Sequence, residues 1–310
     1  MNVRSLNNKT EYIKNIAIDN DLDCLLLTET WLSNNSVRNE QILGELIPES
    51  YKFMHIPRPR GRGGGVGVLY KESLRLKNTT CEAKQFSSME YLECTTKANS
   101  KLIRFLVIYR PPPTSTNNAS NSKFIKDFAT LLSGYLTTPG SLFVCGDINL
   151  HMDVQEDRNV KKLNEILSDL GLVQHITEPT HKAGHTLDIV LDKDTDNVVE
   201  DINVVDVALS DHFLVTFSLK LDRPSYEAQH TISYRSMNSI PIEQFRAELD
   251  SNIQILQSDS VEDILMKYQN KAGELVDKEN HMEYHIFGRE PWPVCHTCIS
   301  RKPHGITCIL

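Results

Sequence analysis

The chain lacks any apolar run approaching the roughly 20 residues that cross a bilayer, and its opening, MNVRSLNNKT, has no apolar signal core. No membrane partner is expected. It also lacks a basic excess. Its 33 Lys and Arg face 41 Asp and Glu, a net charge of −8. That argues against gripping nucleic acid through bulk charge, though not against a local basic groove. Seven cysteines, an odd number, are scattered without a framework. A reducing compartment, nucleus or cytoplasm, is expected, with Cys24 and Cys145 read as small buried hydrophobes. The glycines near Gly61 to Gly67 miss the dinucleotide spacing, and no Lys-Ser/Thr pair follows as a phosphate-binding loop requires. No nucleotide cofactor is expected. No Ser or Cys nucleophile stands out, because Ser210 has no nucleophile elbow around it. There are no internal repeats.

What is present is ordinary globular composition, 40% hydrophobic and 24% charged over 310 residues. The organising stretch is Ser141-Leu142-Phe143-Val144-Cys145-Gly146-Asp147-Ile148-Asn149-Leu150. Leu142 to Cys145 is a short apolar run, suited to a buried strand. Gly146 allows a sharp turn or a close approach to a ligand. Asp147 and Asn149 follow two positions apart, and on extended chain i and i+2 point the same way. An acid there can activate water or hold a cation, and an amide can hold a phosphate oxygen. A plain turn uses the same residues.

The pattern recurs. Asp23 to Leu32 is an apolar strand that delivers Glu29. Asn2 to Leu6 reads as a strand end whose first half is absent. Met89–Thr96 and Leu102–Tyr109 read as a hairpin, and three prolines after Arg110 end its ladder, leaving Tyr109 and Arg110 at a strand end. Asp188 sits inside the run Leu187 to Leu191, where a carboxylate is costly unless paired. The block Val207 to Val215 supplies Asp211 and the candidate partner, His212. An imidazole bonded to a buried carboxylate is held in one tautomer and made a better cation.

Arg58, Arg60 and Arg62, among prolines and glycines, form a stiff basic segment suited to phosphates, and Arg110 is assigned to DNA contact with them. From residue 220 the character changes. Helices are expected over Ile242–Leu256 and, from a Ser260/Asp263 capping box, through Leu275. The tail carries Cys295-x2-Cys298-x5-His304-x3-Cys308. Its gaps of five and three depart from the four and four of a retroviral-type zinc knuckle, so zinc is not assigned.

Asn2, Glu29, Tyr109, Asp147, Asn149, Asp211 and His212 thus fall at strand ends, above Asp188. Hard oxygen donors select Mg²⁺, or Mn²⁺, over zinc, and the set describes metal-assisted phosphoester hydrolysis. In the order NVRSL, LTETW, IYRPP, GDINL, TLDIVL and SDH, the chain resembles the endonuclease/exonuclease/phosphatase family. TETWL, RGGGVGVL, YRPPP and LSDH make it most similar to the endonuclease domains of non-LTR (LINE-type) retrotransposons. The resemblance implies a four-layer α/β sandwich, DNase I-like, over residues 1–219. A helical linker over 220–280 and a tail over 281–310 would follow. It implies Glu29 and Asp211 at the metal with Asn2 in support, and Asp147 with Asn149 positioning the attacking water. His212, oriented by Asp188, and Tyr109 would stabilise the transition state. It implies nicking of a DNA substrate for a reverse transcriptase domain that is absent here. The family's first strand starts several residues before the Asn2 position, which suggests a truncated remnant. Two other readings stand beside this one: a phosphatase or phosphodiesterase of the same fold acting on a small phosphoester, and an inactive DNA- or partner-binding fragment.

Overall fold

A computed structural model describes residues 1–310 apart from 34–35, 59–62, 82–85, 99–100, 115–116, 118, 137, 222–227, 236–241, 252, 280 and 289–305. Two units are distinguished, Met1–Ser225 with Ile299–Leu310, and Tyr226–Cys298.

In the first unit the apolar runs become two six-stranded sheets. Its helices are α1 (Thr10–Asp19), α2 (Ser36–Leu46), α3 (Asn121–Leu136) and α4 (Arg158–Asp169). The strands are β1 (Cys24–Thr28), β2 (Tyr51–Ile56), β3 (Val66–Lys71), β4 (Lys77–Asn78), β5 (Glu90–Ala98), β6 (Lys101–Tyr109), β7 (Ser141–Asp147), β8 (Leu172–Gln174), β9 (Asp188–Lys193), β10 (Val199–Val205) and β11 (Leu214–Leu219). The second unit holds β12 (Ala228–Arg235), α5 (Ile242–Ser251), α6 (Val261–Glu279) and β13 (His281–Gly288). The last strand, β14 (Ile306–Ile309), returns to the first unit. The sheet orders are β10-β11-β14-β1-β3-β2 and β4-β5-β6-β7-β9-β8.

Three apolar layers make this a four-layer α/β sandwich. Between the sheets, Cys24, Leu26 and Val68 meet Leu92, Phe105, Phe143 and Val190. Outside the second sheet, Phe124, Phe128 and Leu132 of α3 and Val160 and Leu163 of α4 cover Leu106, Val144 and Ile189. Outside the first, Ile13 and Ala17 of α1 cover Leu25, Leu27 and Leu69. The helical stripes at Ile13/Ile16/Ala17 and Phe124/Phe128/Leu131 are therefore core faces, as their spacing predicts. Asp157 caps α4 by accepting from the Asn159 and Val160 amides.

The second unit pairs β12 with β13, antiparallel from Ala228↔Gly288 to Arg235↔His281. Ser260 and Asp263 form the expected capping box at α6. The Ser260 hydroxyl donates to Asp263 Oδ2 at 2.7 Å and accepts the Asp263 amide at 3.1 Å. The stretch read as a helical linker thus holds a strand as well as two helices. No described helix is long and apolar enough to cross a membrane.

The tail, for which the sequence predicts no element, supplies β14. It lies parallel to β1 (Cys24↔Cys308) and antiparallel to β11 (Phe217↔Cys308). The edge of β1 beyond it takes up residues 1–3, where the Met1 amino group donates to Leu26 O at 2.6 Å and Val3 N to Thr28 O at 3.0 Å. The centre of the first sheet is therefore paired, and the gap expected there is filled. Of the four knuckle residues only Cys308 is described. It is buried against Cys24, Sγ to Sγ 3.1 Å, so its thiol faces the core and not a tail site.

Candidate active site

Register alone aligns half of the site. Tyr109 of β6 pairs with Asp147 of β7, and Asp147 pairs with Asp188 of β9, giving a row across three strands. The other half comes from the first sheet. Asn2 bridges Thr28, which places its side chain beside Glu29, and His212 precedes β11.

The side chains converge. Asn2 Nδ2 donates to Glu29 Oε1 at 3.0 Å and to Asp147 Oδ2 at 2.9 Å, tying the two sheets together. The Tyr109 hydroxyl donates to Glu29 Oε1 at 2.9 Å. His212 Nδ1 meets Asp188 Oδ2 at 3.0 Å, and its Nε2 lies 3.6 Å from Asp147 Oδ2. Asn149 donates from its amide nitrogen to Asp147 Oδ1 at 2.9 Å and from Nδ2 to Asp147 Oδ2 at 3.2 Å. The route to that contact differs from the one expected. β7 ends at Asp147, and Asn149 is left-handed (φ 46°), so a turn folds the amide back instead of extended alternation. Gly146 closely approaches the backbone of β6.

Burial sets the electrostatics. Asp147, Asp188 and His212 are all buried. Burial first, and then the Asp188 charge, push the Asp147 carboxyl up to about 7, against the opposing pull of His212 and Asn2. Burial works against a charged His212, but Asp188, with Asp147 and Asp211 behind it, outweighs burial and the imidazole rises to about 9. The Tyr109 hydroxyl is driven upward by burial and then by Glu29, so it stays a phenol that donates. Burial would raise Asp211, yet its own backbone amide, Arg4 and His181 bring its carboxyl below the usual range.

Asp211 stands slightly apart. Its Oδ2 meets Arg4 Nη1 at 2.7 Å and His181 Nε2 at 3.3 Å, while its buried Oδ1 has no hydrogen-bond partner among the described residues. Among the described residues, two groups each bring their metal-ligating atoms within 4.8 Å of one another: His181, Asp211 and His212, and Asp147, Asp188 and His212. Glu29 belongs to neither, and its carboxylate accepts from Asn2, Tyr109 and the Trp31 indole (Nε1 to Oε2, 3.1 Å). Sequence reasoning missed Arg4, Trp31 and His181. It also missed Ser210 as a brace, whose hydroxyl donates to Asn2 O at 2.8 Å and accepts the His212 amide at 3.0 Å. Arg4 and Trp31 each sit two residues from an assigned one, which was the available signal.

The arginines divide. Arg60 and Arg62 lie outside the described residues. Arg58 pairs with Glu90 and lies over the Tyr109 ring, 5.6 Å from its centroid. The assignment of Arg110 to DNA contact is corrected. It is fully buried. Its guanidinium donates to Ile148 O, Asn149 O, Ala119 O and Asn121 Oδ1 at 2.6–3.2 Å and stacks on Phe124. Carbonyls and the Asn121 side chain, not phosphates, take up its two terminal nitrogens, while no described residue bonds its buried Nε, and it pins the turn that carries Asn149. Arg110→Lys is expected to cost about 2 kcal/mol, because an ammonium cannot span that fork of acceptors. Urea unfolding of the variant checks this.

Residues 1–214 match the endonuclease/exonuclease/phosphatase family. No curated protein matches by sequence. Similar solved structures include the endonuclease domain of TRAS1, a telomere-specific non-LTR retrotransposon (TM-score 0.54, 13% identity, 71% of this chain and 96% of that one). Another is the 3′ phosphatase NExo from Neisseria, bound to a product DNA hairpin (0.52, 16%, 69% and 95%). A third is the AP endonuclease LMAP from Leishmania major (0.51, 14%, 68% and 84%). At these identities the likeness is one of fold.

Proposed function

Because the chain belongs to the endonuclease/exonuclease/phosphatase family, we propose that it hydrolyses phosphodiesters with a divalent metal, nicking DNA as the endonuclease of a LINE-type element. The carrying observation is the chain Asp188–His212–Asp147–Asn2–Glu29, which links both sheets at one edge. Asp147, with its carboxyl near neutrality, suits a base that takes a proton from water. Asn149, bonded to both Asp147 oxygens, fixes the direction of that carboxylate. His212, charged at neutral pH, and the Tyr109 phenol are donors for the negative charge that builds on the phosphate oxygens.

The residues present fit a hard cation. Asp211 offers a buried oxygen to which no described residue bonds, and the resemblance adds Glu29 and Asn2, whose oxygens would have to give up bonds from Tyr109, Trp31 and the Arg4 amide. These three would hold Mg²⁺, or Mn²⁺, which when bound supplies positive charge toward the phosphate. DNA as substrate, and a reverse transcriptase domain as the natural partner, draw support from the RGGGVGVL and YRPPP motifs and from the fold shared with the TRAS1 endonuclease domain.

Supercoiled plasmid tests the reading. The chain with Mg²⁺ is expected to convert it to open circles, and EDTA to stop this. Asp147→Asn is expected to slow nicking by about 10²-fold or more. Hydrolysis of a small phosphomonoester without nicking would instead favour the phosphatase reading. Plasmid binding without cleavage of either substrate would favour a binding fragment.

A further inference from the structure

The position of Ile306–Leu310 carries a second reading, which rests on sheet geometry and not on the nuclease assignment. The segment is the third strand of six, central in its sheet, yet it reaches that place from the far end of the chain. Its side chains alternate as a two-sided core strand requires. Ile306, Cys308 and Leu310 enter the layer between the sheets, and Ile309 enters the layer under α1 and α2. Its backbone is paired on both edges. Leu310 N donates to Val215 O at 2.8 Å and Val215 N returns the bond at 2.7 Å. Thr307 N donates to Asp23 Oδ2 at 2.9 Å, and Thr307 O accepts Asp23 N at 3.0 Å.

We propose that β1 and β11 form a slot for a short apolar strand, and that Ile306–Leu310 is an exchangeable donor strand held in it. The slot reads its occupant as strand-addition sites do, with main-chain bonds for affinity and alternate side-chain pockets for register. Asp23 adds a polar clamp at one end. The donor is tethered through the whole stretch between Leu219 and Ile306. That attachment raises its effective concentration over that of a free copy, which must be supplied in excess to displace it. A free copy of the strand in excess can therefore compete. The consequence reaches the site, because the same composite edge holds Asn2, β1 leads into Glu29, and β11 follows His212.

The test uses the full chain. Cys308→Asp puts a charge into the inter-sheet core and weakens the tethered donor. At the wild-type urea midpoint the folded fraction of this variant is expected to fall about 10-fold or more. A fluorescent peptide of residues 306–310 with added lysines should bind it, shown by a rise in polarisation, and restore the midpoint. A scrambled peptide should do neither, and wild type should bind the peptide about 10-fold more weakly because its own strand competes. If Cys308→Asp is insoluble, refolding it with and without peptide gives the same reading, and Ile309→Ala weakens the donor without a buried charge. An unchanged midpoint for both variants would show that these residues do not fill the slot. A weakened chain that the peptide neither binds nor restores would show a fixed core strand and overturn the exchange.

Discussion

Gly146→Ala is expected to cost about 4 kcal/mol or more and to leave little folded protein. The glycine has φ +145°, and a Cβ there would stand 1.8 Å from Ile108 O, 2.7 Å from Ile108 C and 2.8 Å from Ile108 N. All three are backbone atoms of the paired strand β6, so no side-chain rotation relieves the contact. β7 would have to leave β6 at the register step just before Tyr109↔Asp147, the step that sets the acid beside the phenol. Gly171→Ala is the control. It also has positive φ (+62°), but nothing lies within 4 Å of its Cβ, so only the left-handed strain of about 1–2 kcal/mol remains. Urea unfolding of both variants checks the difference. Equal losses would mean that β6 and β7 do not approach as closely as the register requires.

That contrast bears on what the amino-acid order could reveal. Gly146 was legible as a place of close approach, but not what approaches, because the neighbour is 38 residues away. The site was legible for a related reason. Asp188 marked itself by local cost, because a carboxylate inside an apolar run must be paired, whereas Glu29, Asp147 and His212 stood out only as polar residues at the ends of apolar runs. Strand-length apolar runs alternating with helical stripes such as Phe124/Phe128/Leu131 marked the elements, while the four-layer arrangement came from the family resemblance. Arg110 went the other way. Its charge beside three prolines suggests surface, and its burial depends on carbonyls of Ala119, Ile148 and Asn149 that only the folded loops assemble. β14 was invisible because four apolar residues around Thr307, after a Pro-containing tail, carry no information about which strands they join. The edge strand β10 was missed too. Its half-exposed pattern lacks the apolar run that marks the buried strands.

The buried charge chain supplies the other large effect. His212→Ala is expected to destabilise the chain by about 3–5 kcal/mol. Asp188 is buried, its Oδ2 is on His212 and its Oδ1 has no partner among the described residues, and Asp147 lies on the far side of the same imidazole. Removing the ring leaves two buried carboxylates with no cation between them. Adding Asp188→Asn removes one of those charges, so the double variant should lose less than the sum of the singles, with a coupling of about 1–3 kcal/mol. Work in EDTA keeps a cation from replacing the imidazolium. The sign with pH is fixed by the raised imidazole. Its stabilisation is complete below its ordinary 6.5 and disappears as pH rises through about 9. The gap between wild type and His212→Ala should therefore be widest near pH 6 and narrow above pH 9. Additive losses, or a gap that widens with pH, would mean that the imidazole does not carry the charge that holds Asp147 and Asp188 together.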